Sequence, residues 1–276
     1  HTGEEEVGFN NGGILAVDLT GKIENTALFG ELELDAAGLA DGLSFIVGGR
    51  FERDARTRTT VDSTGNLVGS GTFSEDVFLP KLGVRYAPTE NTLFGYTYSE
   101  SFRGGGLDVD LGAPFSRAAY SSVAFGPEFV KQHEIFAKTT TMGGALDLGA
   151  TAFFYQWEDA QVSGAATYPI SGDSAIGNVP EAEGHGVELN ATYRLTPNLT
   201  LTGAIGLLET EITDAGGLAG ARGQELPLSP NTNLSFGLVY QSASGFDASA
   251  RVRYVGAQQA ALHQTALASY PVVDVA

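Results

Sequence analysis

The chain has 276 residues, 33 acidic against 15 basic side chains for a formal net charge of -18, no cysteine, 37 glycines and an aromatic content of 10%. Without cysteine there is no disulfide framework and no thiolate metal site, and an acidic balance of this size excludes a nucleic-acid partner, because phosphate contacts need a basic face. Abundant glycine beside abundant aromatics favours strands and turns over helices.

In chain order, alternation of apolar and polar residues predicts strands at roughly 12–20, 25–34, 43–53, 77–86, 92–102, 131–141, 145–157, 183–193, 199–212, 231–240, 246–256 and from 270 onward. Short links rich in Gly, Pro, Asn, Asp and Ser fall at Asp35 to Gly42, Ala87 to Asn91, Met142 to Gly144, Arg194 to Asn198 and Gln241 to Gly245. Long links fall at Asp54 to Asp76, Arg103 to Val130, Glu158 to Ala182, Thr213 to Pro230 and Ala257 to Ser269. The two kinds take turns. An up-and-down barrel across a membrane accounts for that order, with short turns on one rim and long loops on the other, whereas a soluble sandwich has no reason to keep it.

The strands carry a period of two over lengths that suit a tilted crossing of a bilayer, about 9 to 11 residues. Phe246, Ala248, Ala250, Val252 and Tyr254 share one face, opposed by Asp247, Ser249, Arg251 and Arg253. Leu199, Leu201, Ile205 and Leu207 oppose Thr200, Thr202 and Ala204, and Leu234, Phe236, Leu238 and Tyr240 oppose Asn233, Ser235 and Gly237. The mean hydropathy of -0.01 resembles that of a soluble protein. Membrane strands average to the same value, because their second face is polar. Tyr86, Phe94, Tyr193, Tyr240 and Tyr254 lie near strand ends as candidates for an interfacial aromatic girdle.

Several stretches resemble motifs of one known family. Leu93 to Gly106 (LFGYTYSESFRGGG) is similar to the "lya.yS.gFr.GG" strand of TonB-dependent receptors, preceded by Pro80 to Thr89. Pro127 to Glu134 resembles the strand opening "PE....yE.G.K", and Phe153 to Gln161 resembles "aFfy.w.d.Q". Asn178 with Gly184 to Glu188 follows, like "N.g.a...GvE", and then Pro227 to Asn231 and Tyr270 to Asp274. Each match is weak alone; their order from about residue 25 to the end is what is specific.

The resemblance implies an all-β fold, an antiparallel up-and-down transmembrane β-barrel, of which residues 1–276 would be a single partial region of about twelve strands out of 22. It implies active transport in the outer membrane of a Gram-negative bacterium. The solute would be scarce, such as a ferric siderophore, a cobalamin-like cofactor or an oligosaccharide. The implied partners are outer-membrane lipid, the protein's own plug domain and remaining barrel strands, and an inner-membrane complex acting through TonB. The plug, the TonB box and the final strands are not represented. Since open edges are not tolerated in a bilayer, the expectation is a fragment of a longer protein or a piece that pairs with another. A passive porin or an adhesion barrel is the alternative.

Charges on the face that would line the lumen are Arg50, Glu52, Lys81, Arg85, Glu134, Lys138, Asp147, Glu188, Asp247, Arg251 and Arg253. Their mixed signs suit either a polar plug or a water-filled interior. Candidate solute contacts on the long loops are Arg103, Tyr120, Phe125, Trp157, Tyr168, His185 and Arg222. The four histidines, His1, His133, His185 and His263, have no zinc-site spacing, and Asp108, Asp110, Asp173 and Asp214 form no calcium loop. No catalytic motif is present: there is no GxSxG, no HExxH and no phosphate-binding glycine loop. Neither enzyme activity nor a metal or cofactor is expected.

Overall fold

The computed structural model describes residues 2–11, 15–62, 64–110, 121–166, 175–218, 220–262 and 266–276. Its elements begin with β1 (Thr2–Asn11), β2 (Leu15–Asp35), β3 (Leu43–Asp62), β4 (Leu67–Thr89), β5 (Thr92–Arg103), β6 (Gly106–Asp110), β7 (Ser121–Phe125) and β8 (Glu128–Thr141). They continue with β9 (Leu146–Ser163), β10 (Ile176–Thr196), β11 (Leu199–Asp214), β12 (Thr232–Gln241) and β13 (Asp247–Val255). The last are β14 (Gln258–Gln259), β15 (Ala266–Leu267) and β16 (Tyr270–Val275).

Twelve of these form one sheet in the order β1-β2-β3-β4-β5-β8-β9-β10-β11-β12-β13-β16, and each neighbouring pair is antiparallel. Two small hairpins, β6–β7 and β14–β15, stand apart from it. The expected all-β, up-and-down arrangement of twelve strands is therefore found, with β1 and β16 as its two edges.

Some boundaries differ from the expectation. Residues 12–20 and 25–34 belong to the single strand β2, while β1 lies in a stretch whose Glu4 to Glu6 run masks its strand character. The link expected from Asp54 to Asp76 is the far end of a long hairpin, β3 and β4 running on to a turn whose described residues are 64–66. At about 3.3 Å per residue, the 20 and 23 residues of these strands reach roughly 66 to 76 Å, well beyond a bilayer. Neither face of that extension meets lipid, and its covered face is polar, with Asp54 and Thr60 buried, so its alternation of apolar with polar residues is lost and it reads as a loop. β9 and β10 likewise extend into the link expected from Glu158 to Ala182.

The register separates two faces. Leu28, Phe51 and Phe78 pair across β2 to β4, and Leu234, Tyr254, Phe236 and Val252 pair across β12 and β13. Phe51, Phe78, Ile135 and Phe236 are all more than half exposed. Such a band in water would leave several hundred Å² of hydrocarbon unburied at about 25 cal/mol per Å²; a bilayer covers it. Tyr86, Phe94, Tyr193, Tyr240 and Tyr254 all share this apolar face.

One row shows how the strands cross the band. Leu32, Val47, Leu82, Tyr98, His133, Phe154, His185 and Glu209 are successive partners on the apolar face. The row starts in leucine and ends in charge. Barrel strands tilt by roughly 35–45°, so a row perpendicular to them climbs from hydrocarbon into the aqueous rim.

Short turns fall at residues 36–42, 90–91, 142–145, 197–198 and 242–246, all at one rim. In the first, Gly42 has φ 77°, and a Cβ there would collide with the Ala87 carbonyl, so only glycine fits.

Candidate functional site

Opposite the apolar band lies a polar face. The register puts Arg50, Glu52, Lys81, Arg85, Glu134, Lys138, Asp147, Glu188, Asp247, Arg251 and Arg253 on it. Many are paired: Lys81 with Glu31 at 2.7 Å, Arg85 with Glu33 at 3.2 Å, Arg194 with Asp147 at 2.8 Å, and Arg253 with Asp274 at 3.3 Å. Lys138 lies 5.4 Å from the Phe136 ring centroid. Most of these pairs are half exposed and worth less than about 1 kcal/mol each, so they describe a wet wall and are not what holds the fold.

Towards the long-loop rim the same face becomes buried. Arg50 pairs with Glu52, which accepts from Asn25; Asn25 also reaches Asp54 at 3.5 Å, and Arg56 Nε meets Asp54 Oδ1 at 2.6 Å. Arg56 Nη1 then donates to the Gly104 carbonyl at 3.2 Å, where the chain leaves β5. Beside it, Arg103 pairs with Glu128 at 2.7 Å. The second oxygen of Glu128 accepts the Gln161 N–H at 2.6 Å. Gln161 Nε2 donates to the carbonyls of Gly104 at 3.1 Å and Gly126 at 2.9 Å. Asn178 accepts from the Gly126 N–H at 2.6 Å and donates to the Gly126 and Asp159 carbonyls at 3.2 and 2.6 Å.

Asp159 has φ 52°, a left-handed conformation that Asp tolerates better than most residues. The register skips Pro180 at this point, and Pro has no N–H to offer. Beyond it, Ala160, Val162 and Ala165 pack with Val179, Ala182, Ile212, Ala215, Ala221, Leu226 and Leu262 into one apolar cluster, with Trp157 and Leu218 against it. The links after β9, β11 and β13 thus share a core. Along β9, Phe153 and Tyr155 are stacked at 6.3 Å, and Tyr155 meets Trp157 edge-on at 6.1 Å. The rings of Phe153 and Tyr155 lie over Gly186 and Gly184 of β10, in space a side chain there would fill. Desolvation in this ladder suits aromatic bodies and leaves little room for free charge.

The candidate contacts are dispersed. Arg103 is engaged by Glu128, Phe125 packs on Gly106 within the β6–β7 hairpin, and Trp157 packs on the loop core. Arg222 is exposed in the β11–β12 loop. His185 is a correction to the loop contacts: it lies within β10, inside the strand expected over residues 183–193, on the apolar-band side and 3.4 Å from Glu209. Tyr120 and Tyr168, with His1, His263 and Asp173, lie outside the described residues. Asp108 is occupied by main chain, accepting from its own neighbour Val109 and from Ile176, both at 2.8 Å. Among the described residues no group of three or more His, Cys, Asp or Glu is placed to hold a metal ion. Glu128, Gln161, Asn178 and Arg56 were missed as site residues, although the first three stand inside the motifs quoted above.

Known proteins agree with this architecture. The family model described as TonB dependent receptor-like, beta-barrel, matches residues 7–276. The metal-pseudopaline receptor CntO of Pseudomonas aeruginosa is 26% identical over 244 residues, covering 82% of this chain but 31% of the receptor. Among solved structures, the ferric yersiniabactin uptake receptor FyuA of Yersinia pestis superposes with a TM-score of 0.71 at 20% identity, over 95% of this chain and 39% of that one. The siderophore receptor PiuA of Acinetobacter baumannii superposes with a TM-score of 0.62 at 16% identity, over 99% and 48%. The chain spans about a third of the length of the curated receptor it matches. With a model match over nearly its whole length, an apolar band outside and a charged wall inside, the chain belongs to the TonB-dependent receptor β-barrel family of the outer membrane.

Proposed function

We propose that this chain forms part of the barrel wall of a receptor that takes up a scarce solute across the outer membrane, with energy supplied through TonB. The observation that carries this reading is the polar face. It is lined with ion pairs of both signs and is crossed at one rim by tied loops, in a sheet whose other face is apolar. A lumen wall of mixed sign suits a polar plug from the same protein, which would meet it through charge-assisted hydrogen bonds.

The solute class we favour is a metal chelate, because relatives with this architecture are named for metal-pseudopaline and ferric yersiniabactin. A cobalamin-like cofactor or an oligosaccharide are the other solutes considered. Phe125, Trp157 and Arg222 are the proposed solute contacts among the described residues, with Tyr120 and Tyr168 on the same loops. The protein would transport and not catalyse. Further strands of the same protein would pair with β1 and β16, since unpaired backbone groups cost several kcal/mol each in hydrocarbon.

The test is uptake of ferric chelates in cells lacking the gene and, separately, in cells lacking TonB. Loss of uptake in both is expected. Unchanged uptake in the gene deletion overturns the reading, and uptake that needs the gene but not TonB makes the protein a passive channel.

A further inference from the structure

The β6–β7 hairpin does not stand out from the rim. On one side it lies on β4, where a side chain on Gly69 would collide with Ser122, and one on Gly71 would touch Leu107. Thr60 of β3, the partner of Gly69, is completely buried beneath this region. On its other side Asp108 of β6 accepts the Ile176 N–H of β10 at 2.8 Å. In the sheet, β4 and β10 are separated by β5, β8 and β9. The hairpin therefore bridges from β4 to β10 beyond the ends of β5 and β8, the two strands from which it emerges.

Both of its legs are held at their roots. Gly104 on the outgoing leg accepts from Arg56 and Gln161, and Gly126 on the returning leg bonds Gln161 and Asn178. Glu128, almost fully buried, holds the Gln161 backbone and Arg103 together. Gly105 has no room for a Cβ against the Phe125 carbonyl at 2.6 Å, so the two legs are in contact.

We propose that the β6–β7 hairpin is a fixed strap across this sector of the barrel mouth, and that Glu128, Gln161 and Asn178 are positioning residues that hold it there. A solute entering on this side then passes along the edge of the strap, whose place is set by three side chains that need not touch the solute. The geometry is independent of the transport reading; only its bearing on solute entry rests on that reading. The strap differs from an ordinary mobile loop because its roots are hydrogen-bonded to three separate strands, β3, β9 and β10.

The experiment measures the strap directly in the full-length receptor in outer-membrane vesicles. Cysteines replacing Ser74, exposed on β4, and Ser121 of β7 carry spin labels for pulsed electron-spin distance measurement. A single narrow distance is expected in the parent, and its loss is expected in Gln161→Ala, with the folded barrel still resisting detergent at room temperature. Where Gln161→Ala fails to assemble, Gln161→Glu keeps the shape but turns the donor into an acceptor facing carbonyls, and the same loss is expected. Asn178→Asp should give an intermediate result, since it keeps the acceptor for the Gly126 N–H. A broad distance in the parent, or a narrow one retained in the Gln161 variant, overturns the proposal. Neither outcome depends on which solute is carried.

Discussion

Arg56 joins two segments 48 residues apart: its Nε holds Asp54 at 2.6 Å while its Nη1 donates to the Gly104 carbonyl at 3.2 Å. The planar guanidinium makes this possible, since its donors point in fixed and different directions. A lysine could neutralise Asp54 but would not span both. The arrangement links the lumen wall of β3 to the root of the β6–β7 hairpin.

Replacing Arg56 by Met should cost about 3 kcal/mol or more, because the Asp54 side chain is only 5% exposed and would be left buried without its partner. Combining it with Asp54→Asn should restore a large part of the loss. Denaturant unfolding of the receptor from vesicles across the double-mutant cycle measures the coupling. Simple additivity of the two changes would show that the pair is not a unit.

The two faces should respond oppositely to the same charge. Phe236→Arg, in the apolar band, is expected to destabilise the barrel by roughly 2–4 kcal/mol if it lies near the bilayer midplane. Thr151→Arg, which the register puts beside Glu188 on the polar face, should change stability by less than about 1 kcal/mol. Equal effects in an unfolding titration would mean that the faces are assigned wrongly.

At the tip of the β3–β4 hairpin, Asp62 accepts from the backbone N–H of Thr64 and Asn66 at 2.9 and 2.8 Å and from the Thr64 hydroxyl at 2.6 Å. These bonds, led by the hydroxyl, favour the ionised form and lower its pKa from 3.8 to about 2. A depressed carboxyl stabilises the turn above its ordinary value of 3.8, and that contribution is lost as pH falls through about 2. The carboxyl carbon resonance of Asp62 should therefore titrate near 2, with the turn amides loosening only there. A midpoint near 4 would count against the capped turn.

Ile212 is fully buried in the core shared by the links after β9, β11 and β13. Ile212→Ala should cost roughly 2–4 kcal/mol locally. Because the core is common, protease sites in all three links should become accessible together. Cleavage confined to the β11–β12 link would show that the three do not act as one body.

Much of the wall was legible in the sequence. Period two placed Val252 and Tyr254 opposite Arg251 and Arg253, and alternating short and long links implied an up-and-down order, since both signals arise locally, from strand geometry and turn chemistry. They fail where the physics is no longer local. Asp54 to Arg58 reads as loop because, above the bilayer, a strand has no apolar face to advertise it. Tilt is likewise not written along the chain: it carries one row from Leu32 in hydrocarbon through His185 to Glu209 in water.

What the sequence by itself determined is the class of object: an antiparallel wall with one face for lipid and one for water, carrying family motifs in order. What only the tertiary structure decided is how those motifs are used. Glu128, Gln161 and Asn178 stand 33 and 17 residues apart, and each reads as an ordinary polar residue in its own segment. They become a clamp because β8, β9 and β10 are neighbours and because the left-handed turn at Asp159 redirects β9 beside Pro180. Hydrogen bonds of about 3 Å depend on that three-dimensional register, which no periodicity along the chain encodes.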